Sequence, residues 1–351
     1  MTELREHSEA LFLGIDLGTF KTSITASNGL RQTVLSVVGW PKDEVSRKLL
    51  GSRVVFGNEA MQRRLALNLV RPFEKGVIKY SDNSSLAGPE EVENYKAAAK
   101  ELVKHVVGLV NAREGQKVYG VIGAPAQASV VNKQSLIEAA SETLDSVMIV
   151  SEPFAVAYGL DKLGDALIID IGAGTVDLCR MHGSLPEEGD QITLTTAGDY
   201  VDELFLQLIK ENHPEAQLTI NMVREAKEKY GFVTDTTDRT LIRVPVGGKP
   251  RTLDITEECR RACKSIVPPI LEAVGNLIAT YDPEFQQLIL NNVILAGGMS
   301  QIRGLDSVVE EGLQEYGGGK VARVEEPVYA GADGSLKLAY DMPESLWREL
   351  K

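Results

Sequence analysis

The sequence predicts an α/β protein of two related lobes, and three observations lead there. The same phrase occurs twice: Leu11-Phe12-Leu13-Gly14-Ile15 runs into Asp16-Leu17-Gly18-Thr19, and Ala166-Leu167-Ile168-Ile169 runs into Asp170-Ile171-Gly172-Ala173-Gly174-Thr175. Strand-like and helix-like stretches alternate along the chain, the pattern of a largely parallel sheet covered by helices. At 351 residues the chain exceeds the size of one ordinary core, so two domains are expected.

Each repeated phrase is an apolar strand ending at an aspartate and a glycine-threonine turn. Turns of glycine and small residues let several backbone N–H groups approach an anion closely, as a polyphosphate requires. An aspartate there cannot hold phosphate directly, because like charges repel; it reaches phosphate through a divalent cation and its waters, with Mg²⁺ the expected bridge. A single such turn would as readily be the end of a buried strand. Two copies with matching aspartates favour phosphate binding.

After the first turn, residues 21–27 alternate as a second strand, so the turn closes a hairpin rather than leading into a helix. No Gly-x-x-x-x-Gly-Lys-Ser/Thr segment occurs, which argues against a P-loop NTPase. Residues 37–76, broken by Pro41, Gly51, Gly57 and Pro72, form an excursion of roughly 40 residues, too small for a second substrate site. Helical spacing marks 89–110 and 132–140 on either side of a buried strand at 118–122. Glu152 then opens a helix with Pro153 at its start. Beyond the second phrase come a strand at 191–196, helices at 201–211 and 222–230, and a β-rich stretch to Ile255. One long helix over 257–281 follows, which Pro268-Pro269 is expected to kink. Residues 292–300 read as a buried strand opening through Gly297-Gly298 into a helix starting near Gln301, a place suited to a nucleotide.

Composition narrows the function classes. The 43% apolar and 25% charged content is that of a globular protein. A formal net charge of −13 opposes direct binding to nucleic acid or to anionic membranes. Residues 1–9 show neither a secretion signal nor an amphipathic anchor, and the apolar runs are strand-sized, so a soluble cytoplasmic protein without membrane insertion is expected. Three cysteines fit a reducing compartment. Cys259 and Cys263 share a helical face, but without a second pair they read as ordinary thiols rather than half a metal site.

In order, these motifs resemble the actin and Hsp70 ATPase superfamily across nearly the whole chain. Residues 16–21 are similar to its first phosphate loop, 152–159 to the first connecting helix and 170–177 to the second phosphate loop. Residues 297–305 resemble its adenosine motif, and 331–334 the second connection. The segment 224–230 is similar to the stretch whose Lys-Glu pair touches the nucleoside in actins, and 71–78 to the bacterial actins' return from the small subdomain. Residues 36–43, 158–163 and the tail around Trp347 resemble those bacterial actins whose filaments organise magnetosome chains. Phe20 departs from the usual small residue in the first loop, and its ring must turn away for the backbone to reach phosphate.

The resemblance implies an actin-like, ribonuclease H-like duplicated two-lobe ATPase fold with four subdomains. They are IA at 11–36, 77–152 and 331–351; IB at 37–76; IIA at 153–196 and 265–330; and IIB at 197–264. ATP or ADP with Mg²⁺ is expected in the cleft between the lobes, its phosphates held by Leu17, Gly18, Thr19, Phe20, Lys21, Gly172, Ala173, Gly174 and Thr175. Asp16 and Asp170 are expected to hold Mg²⁺ through water, with Glu152 orienting the attacking water. The nucleoside side is assigned to Gly198, Arg224, Lys227, Glu228, Gly297, Gly298, Met299 and Ile302. The implied activity is ATP hydrolysis coupled to a self-assembled filament that positions magnetosomes, with a sister actin-like protein as a candidate co-polymer and an adaptor as the link to cargo. A non-polymerising nucleotide switch or a small-molecule kinase of the same superfamily is the alternative.

Overall fold

The structure, a computed structural model, describes residues 10–81 and 87–350. The opening segment at 1–9, read above as lacking a signal and an anchor, lies outside the described residues, as does Lys351. The chain divides into two compact units, Met1–Lys162 with Val328–Lys351, and Leu163–Pro327.

The first unit is built on a five-stranded sheet in the order Ser146–Ser151, Val118–Ala124, Leu11–Leu17, Lys21–Ala26, Arg31–Leu35. Leu11–Leu17 runs antiparallel to Lys21–Ala26 and parallel to Val118–Ala124. The second unit repeats this plan, in the order Val321–Arg323, Val293–Ala296, Ala166–Ile171, Val176–Met181, Gln191–Leu194. There too the strand that ends at the aspartate pairs antiparallel with its hairpin partner and parallel with its other neighbour. The duplication seen in two short phrases therefore extends to whole sheets. These sheets are mixed rather than largely parallel, because each aspartate turn closes a hairpin and its partner strand turns again into a third.

Burial explains the element choices. In the first unit Leu11, Leu13, Ile15 and Leu17 are all buried, with Leu102, Val106 and Leu136 of the covering helices in the same core. Residues 37–76 form their own three-stranded sheet, Val55–Phe56, Val38–Pro41 and Leu67–Val70, around Val37, Val55, Ala60 and Leu67. The second unit's core joins Ile169, Ile171, Phe205, Ile270 and Leu295.

Two expectations change. The helix expected over 257–281 is two, Thr256–Lys264 and Val267–Ala279. The junction lies at Ser265-Ile266, ahead of the prolines, which occupy the first turn of the second helix where their missing N–H groups cost nothing. Together Thr256–Ala279 is long and apolar enough to cross a membrane, longer than the strand-sized runs noted above. Its Cys259, Ala262, Cys263, Ile270, Val274 and Leu277 are buried in the second unit's core, the behaviour of a core helix.

The first unit runs through Lys162 and so includes the helix Glu152–Gly159. The helix Glu152–Gly159 groups with it because it meets the helix Ala330–Asp341 through glycines: Gly159 and Gly334 approach so closely that a Cβ on Gly159 would lie 2.9 Å from Gly334 Cα. At the tail, Trp347 is buried and stacks on Tyr119 with ring centroids 5.1 Å apart.

Candidate functional site

In the first unit, Asp16 ends the central strand, in register with Ser23 on one side and Gly123 on the other. Gly123 has no side chain to separate its neighbours, and a Cβ there would stand 3.2 Å from Glu152 Cγ. Asp16 and Glu152 therefore flank one glycine at the same sheet end. Gly331 completes this corner, its Cβ direction pointing to Asp16 Oδ2 at 3.5 Å. Burial pushes the Asp16 carboxyl up to about 7, since removal from water disfavours the charged form.

The first turn is braced from outside. Ser36 Oγ donates to Gly18 O at 2.7 Å, Ser36 N–H donates to Phe20 O at 2.8 Å, and Gly76 N–H donates to Thr19 Oγ1 at 2.8 Å. The unusual Phe20 has the Arg71 guanidinium 5.3 Å and Lys21 Nζ 5.4 Å from its ring. Cation–π attraction thus gives the ring its own packing partners.

In the second unit, Gly172 N–H donates to Thr175 O at 2.9 Å and closes the matching turn. The helix Gly198–Asn212 starts against it: Gly198 N–H donates to Gly172 O at 3.1 Å, and Asp199 N–H donates to Ala173 O at 2.7 Å. Asp170 lies in register with Asp177 and Ala296. Gly297 follows with φ +75, and any Cβ there would overlap Asp170 Oδ1. Only glycine suits both its conformation and that approach. Beside it Gly298 faces open space, while Met299 and Ile302 are buried.

The helix expected near Gln301 begins later, at Leu305, after a 3₁₀ turn over Gly298–Gln301. Backbone pairing is the reason: Arg303 N–H donates to Gly231 O at 3.2 Å and Val233 N–H donates to Arg303 O at 3.1 Å, so this segment bridges to Phe232 before turning helical.

Sequence reasoning missed Asp202. It is fully buried; Arg224 Nε donates to its Oδ2 at 2.7 Å and Lys227 Nζ lies 2.7 Å from its Oδ1. Arg224 also reaches Asp199 Oδ1 at 2.7 Å, and Lys227 Nζ donates to Gly198 O at 2.8 Å. Arg224 and Lys227 thus clamp the helix start that braces the second turn, whereas Glu228 is exposed. The signal was present: Asp202 shares a helical face with Phe205 and Ile209, and an acid on an apolar face needs a cation. Asp202→Ala is expected to cost roughly 3 to 5 kcal/mol by leaving two buried cations without their main partner. Thermal unfolding would register this, and Asp202→Glu should not recover all of it because the cage is closed.

Residues 10–345 match the family model described as MreB/Mbl protein. The chain belongs to the MreB/Mbl family. Within it, this MreB/Mbl chain is 41% identical over 340 residues to the actin-like protein MamK of Paramagnetospirillum magneticum, covering 97% of this chain and 95% of that one. Its structure is similar to the MamK double helical filament subunit, with a TM-score of 0.90, 40% identity and coverage of 95% and 100% of the two chains. It is also similar to a non-polymerising MamK mutant bound to AMPPNP, at a TM-score of 0.71, 39% identity and coverage of 95% and 99%. The fold is accordingly the two-lobe actin-like fold, and the duplicated sheets of this MreB/Mbl member are its two halves.

Proposed function

We propose that this chain is an ATP-hydrolysing, filament-forming actin-like protein of the cytoplasm that helps organise magnetosomes. One observation carries the reading: two units of identical sheet topology each end their central strand in an aspartate beside a tightly braced glycine turn. The likeness to the MamK filament subunit and to a nucleotide-bound MamK mutant supports it. Backbone N–H groups of residues 17–21 and 172–175 are the proposed phosphate donors. Gly298 is the candidate to lie against the nucleoside, with Gly198, Gly297, Met299 and Ile302 as its immediate support. Arg224 and Lys227 then act mainly by holding Gly198 and Asp199, with Glu228 reaching the ligand from the exposed side.

Mg²⁺ fits the acidic corner. Asp16 is held above the usual carboxylate range by burial, and no cationic side chain among the described residues pairs with it. A divalent ion would offset that charge. Asp16 and Asp170 are the proposed holders through water, and the ion when bound neutralises phosphate charge as the terminal bond breaks. Glu152 is the proposed weak base orienting the attacking water. An adaptor protein is the expected link to cargo, and a sister actin-like protein a candidate co-polymer.

The Asp16 titration gives a test with a definite sign. Its folded value of about 7 lies above the ordinary 3.8, so its contribution to stability is full below about pH 4 and is lost as pH rises through 7. Asp16→Asn is therefore expected to stabilise the nucleotide-free protein at pH 8, by roughly 2 to 4 kcal/mol, and by less than half of that at pH 5, where only the first part of the loss has occurred. The same variant should lose the Mg²⁺-dependent rise in melting temperature that ATP produces. Equal shifts at both pH values would remove Asp16 from this role. The assembly itself is tested by pelleting with ATP, with ADP and without nucleotide, checked by electron microscopy; absence of ATP-dependent polymer over a wide concentration range would refute it.

A further inference from the structure

At the end of the second hairpin opposite its glycine turn, Asp165 precedes the strand Ala166–Ile171 and His182 follows the strand Val176–Met181. Both line a cavity of about 460 Å³. Its far wall is the turn from the helix Val267–Ala279 into the helix Pro283–Leu290, which supplies Tyr281, Asp282 and Phe285. The volume lies within the roughly 300–1,000 Å³ of small-molecule sites.

The floor is balanced in charge. Arg180 Nε donates to the buried Asp190 Oδ1 at 2.7 Å, while His182 Nε2 lies 3.0 Å from Asp190 Oδ2 and Glu187 N–H donates to the same oxygen at 2.8 Å. Arg180 Nη1 also donates to Leu277 O at 2.6 Å and Thr280 Oγ1 at 2.9 Å, and its guanidinium stands 4.9 Å from the Tyr281 ring. The arginine is thus committed to the floor. The rim is not balanced: Asp165, Glu187 and Asp282 are exposed and enter no ion pair among the described residues. Two of them are held in place, since Asn292 Nδ2 donates to Asp165 O at 3.0 Å and Glu284 N–H donates to Asp282 Oδ1 at 3.1 Å. Burial raises the Tyr281 hydroxyl above its ordinary pKa, and Asp165, Asp190 and Asp282 raise it further against the opposing Arg180, so carboxylates from separate elements act on one point.

This arrangement selects among cations. A single metal ion does not suit it, because no three His, Cys, Asp or Glu side chains among the described residues stand close enough to hold one. A quaternary ammonium would need a closed aromatic cage; here Arg180 takes one side of Tyr281, and Phe285 stands at 64° to that ring. Separated carboxylates with aromatic surface between them match positive charges spaced along a hydrocarbon chain. We propose that the cavity binds an aliphatic polyamine, with its ammonium groups at Asp165, Glu187 and Asp282 and its methylene chain against Phe285 and Tyr281. Exposed ion pairs are individually weak, so affinity grows with the number of ligand charges. The site does not depend on the filament reading.

The test is isothermal titration calorimetry of the full-length, nucleotide-free protein at low ionic strength, with putrescine, spermidine and Mg²⁺ as probes. One spermidine per chain is expected, bound about two- to fivefold more tightly than putrescine through its additional charge. Glu187→Gln with Asp282→Asn should weaken spermidine about five- to twentyfold, asparagine keeping the oxygen that accepts from Glu284 N–H. Phe285→Ser should weaken it as well without altering the charge. Glu90→Gln with Glu91→Gln, which removes two exposed charges from the first unit, should leave binding unchanged. Several equivalents per chain, or an equal loss in the Glu90 and Glu91 variant, would reduce the effect to diffuse attraction by an acidic surface and overturn the site. Displacement of spermidine by Mg²⁺ at concentrations where putrescine also displaces it would overturn the choice of a polyamine.

Discussion

Glu152→Ala is expected to bind ATP with nearly wild-type affinity and to turn it over about 10²- to 10⁴-fold more slowly, the usual worth of a positioned acid–base group. The expectation rests on position. Glu152 opens its helix at the sheet end where Gly123 brings it beside the Asp16 strand. Under the proposed function, in which ATP binding drives assembly and hydrolysis drives disassembly, filaments of this variant should form with ATP and persist. Phosphate release measured with a nucleotide-affinity control separates the roles, and unchanged turnover would make Glu152 a helix-start residue only.

Gly334→Ala is expected to be strongly destabilising. Its Cβ would overlap Ala155 O and lie 2.6 Å from Ala155 C and 3.2 Å from Gly159 N, all backbone atoms that no rotamer change can move aside. The helix Ala330–Asp341 must then separate from Glu152–Gly159, carrying Glu152 and Gly331 away from Asp16. A cost above about 3 kcal/mol is expected, with loss of the first unit's cooperative unfolding and of ATP binding together. Gly108→Ala is the control, since a Cβ there meets nothing within 4 Å. It lies in a helix, where alanine is favoured over glycine by up to about 1 kcal/mol, so its melting temperature should be unchanged or higher.

Much of the site could be read from local pattern because its chemistry is local. A strand, an aspartate and a glycine turn are contiguous, and the alternation after Lys21 marked a hairpin, which the pairing of Leu17 with Thr22 bears out. Long helices with clear periodicity, such as Pro89–Gly108, were equally legible. What escaped depends on partners distant in sequence. Asp202 became visible only when Arg224 and Lys227 closed on it from the next helix, and the helix after Gly297 starts at Leu305 because Arg303 pairs with residues around Phe232.

By itself the sequence determined that two copies of an acidic hairpin exist, which residues form their turns, and that the chain as a whole is acidic. These follow from residue type and spacing, which act over a few bonds. Only the tertiary structure decided that each hairpin is the centre of an identical five-stranded sheet, and that Glu152 and Asp16 share a corner across Gly123. Those outcomes depend on which backbones can approach without a side chain between them and on which charges are buried. Close packing settles both, over distances that no short stretch of sequence spans.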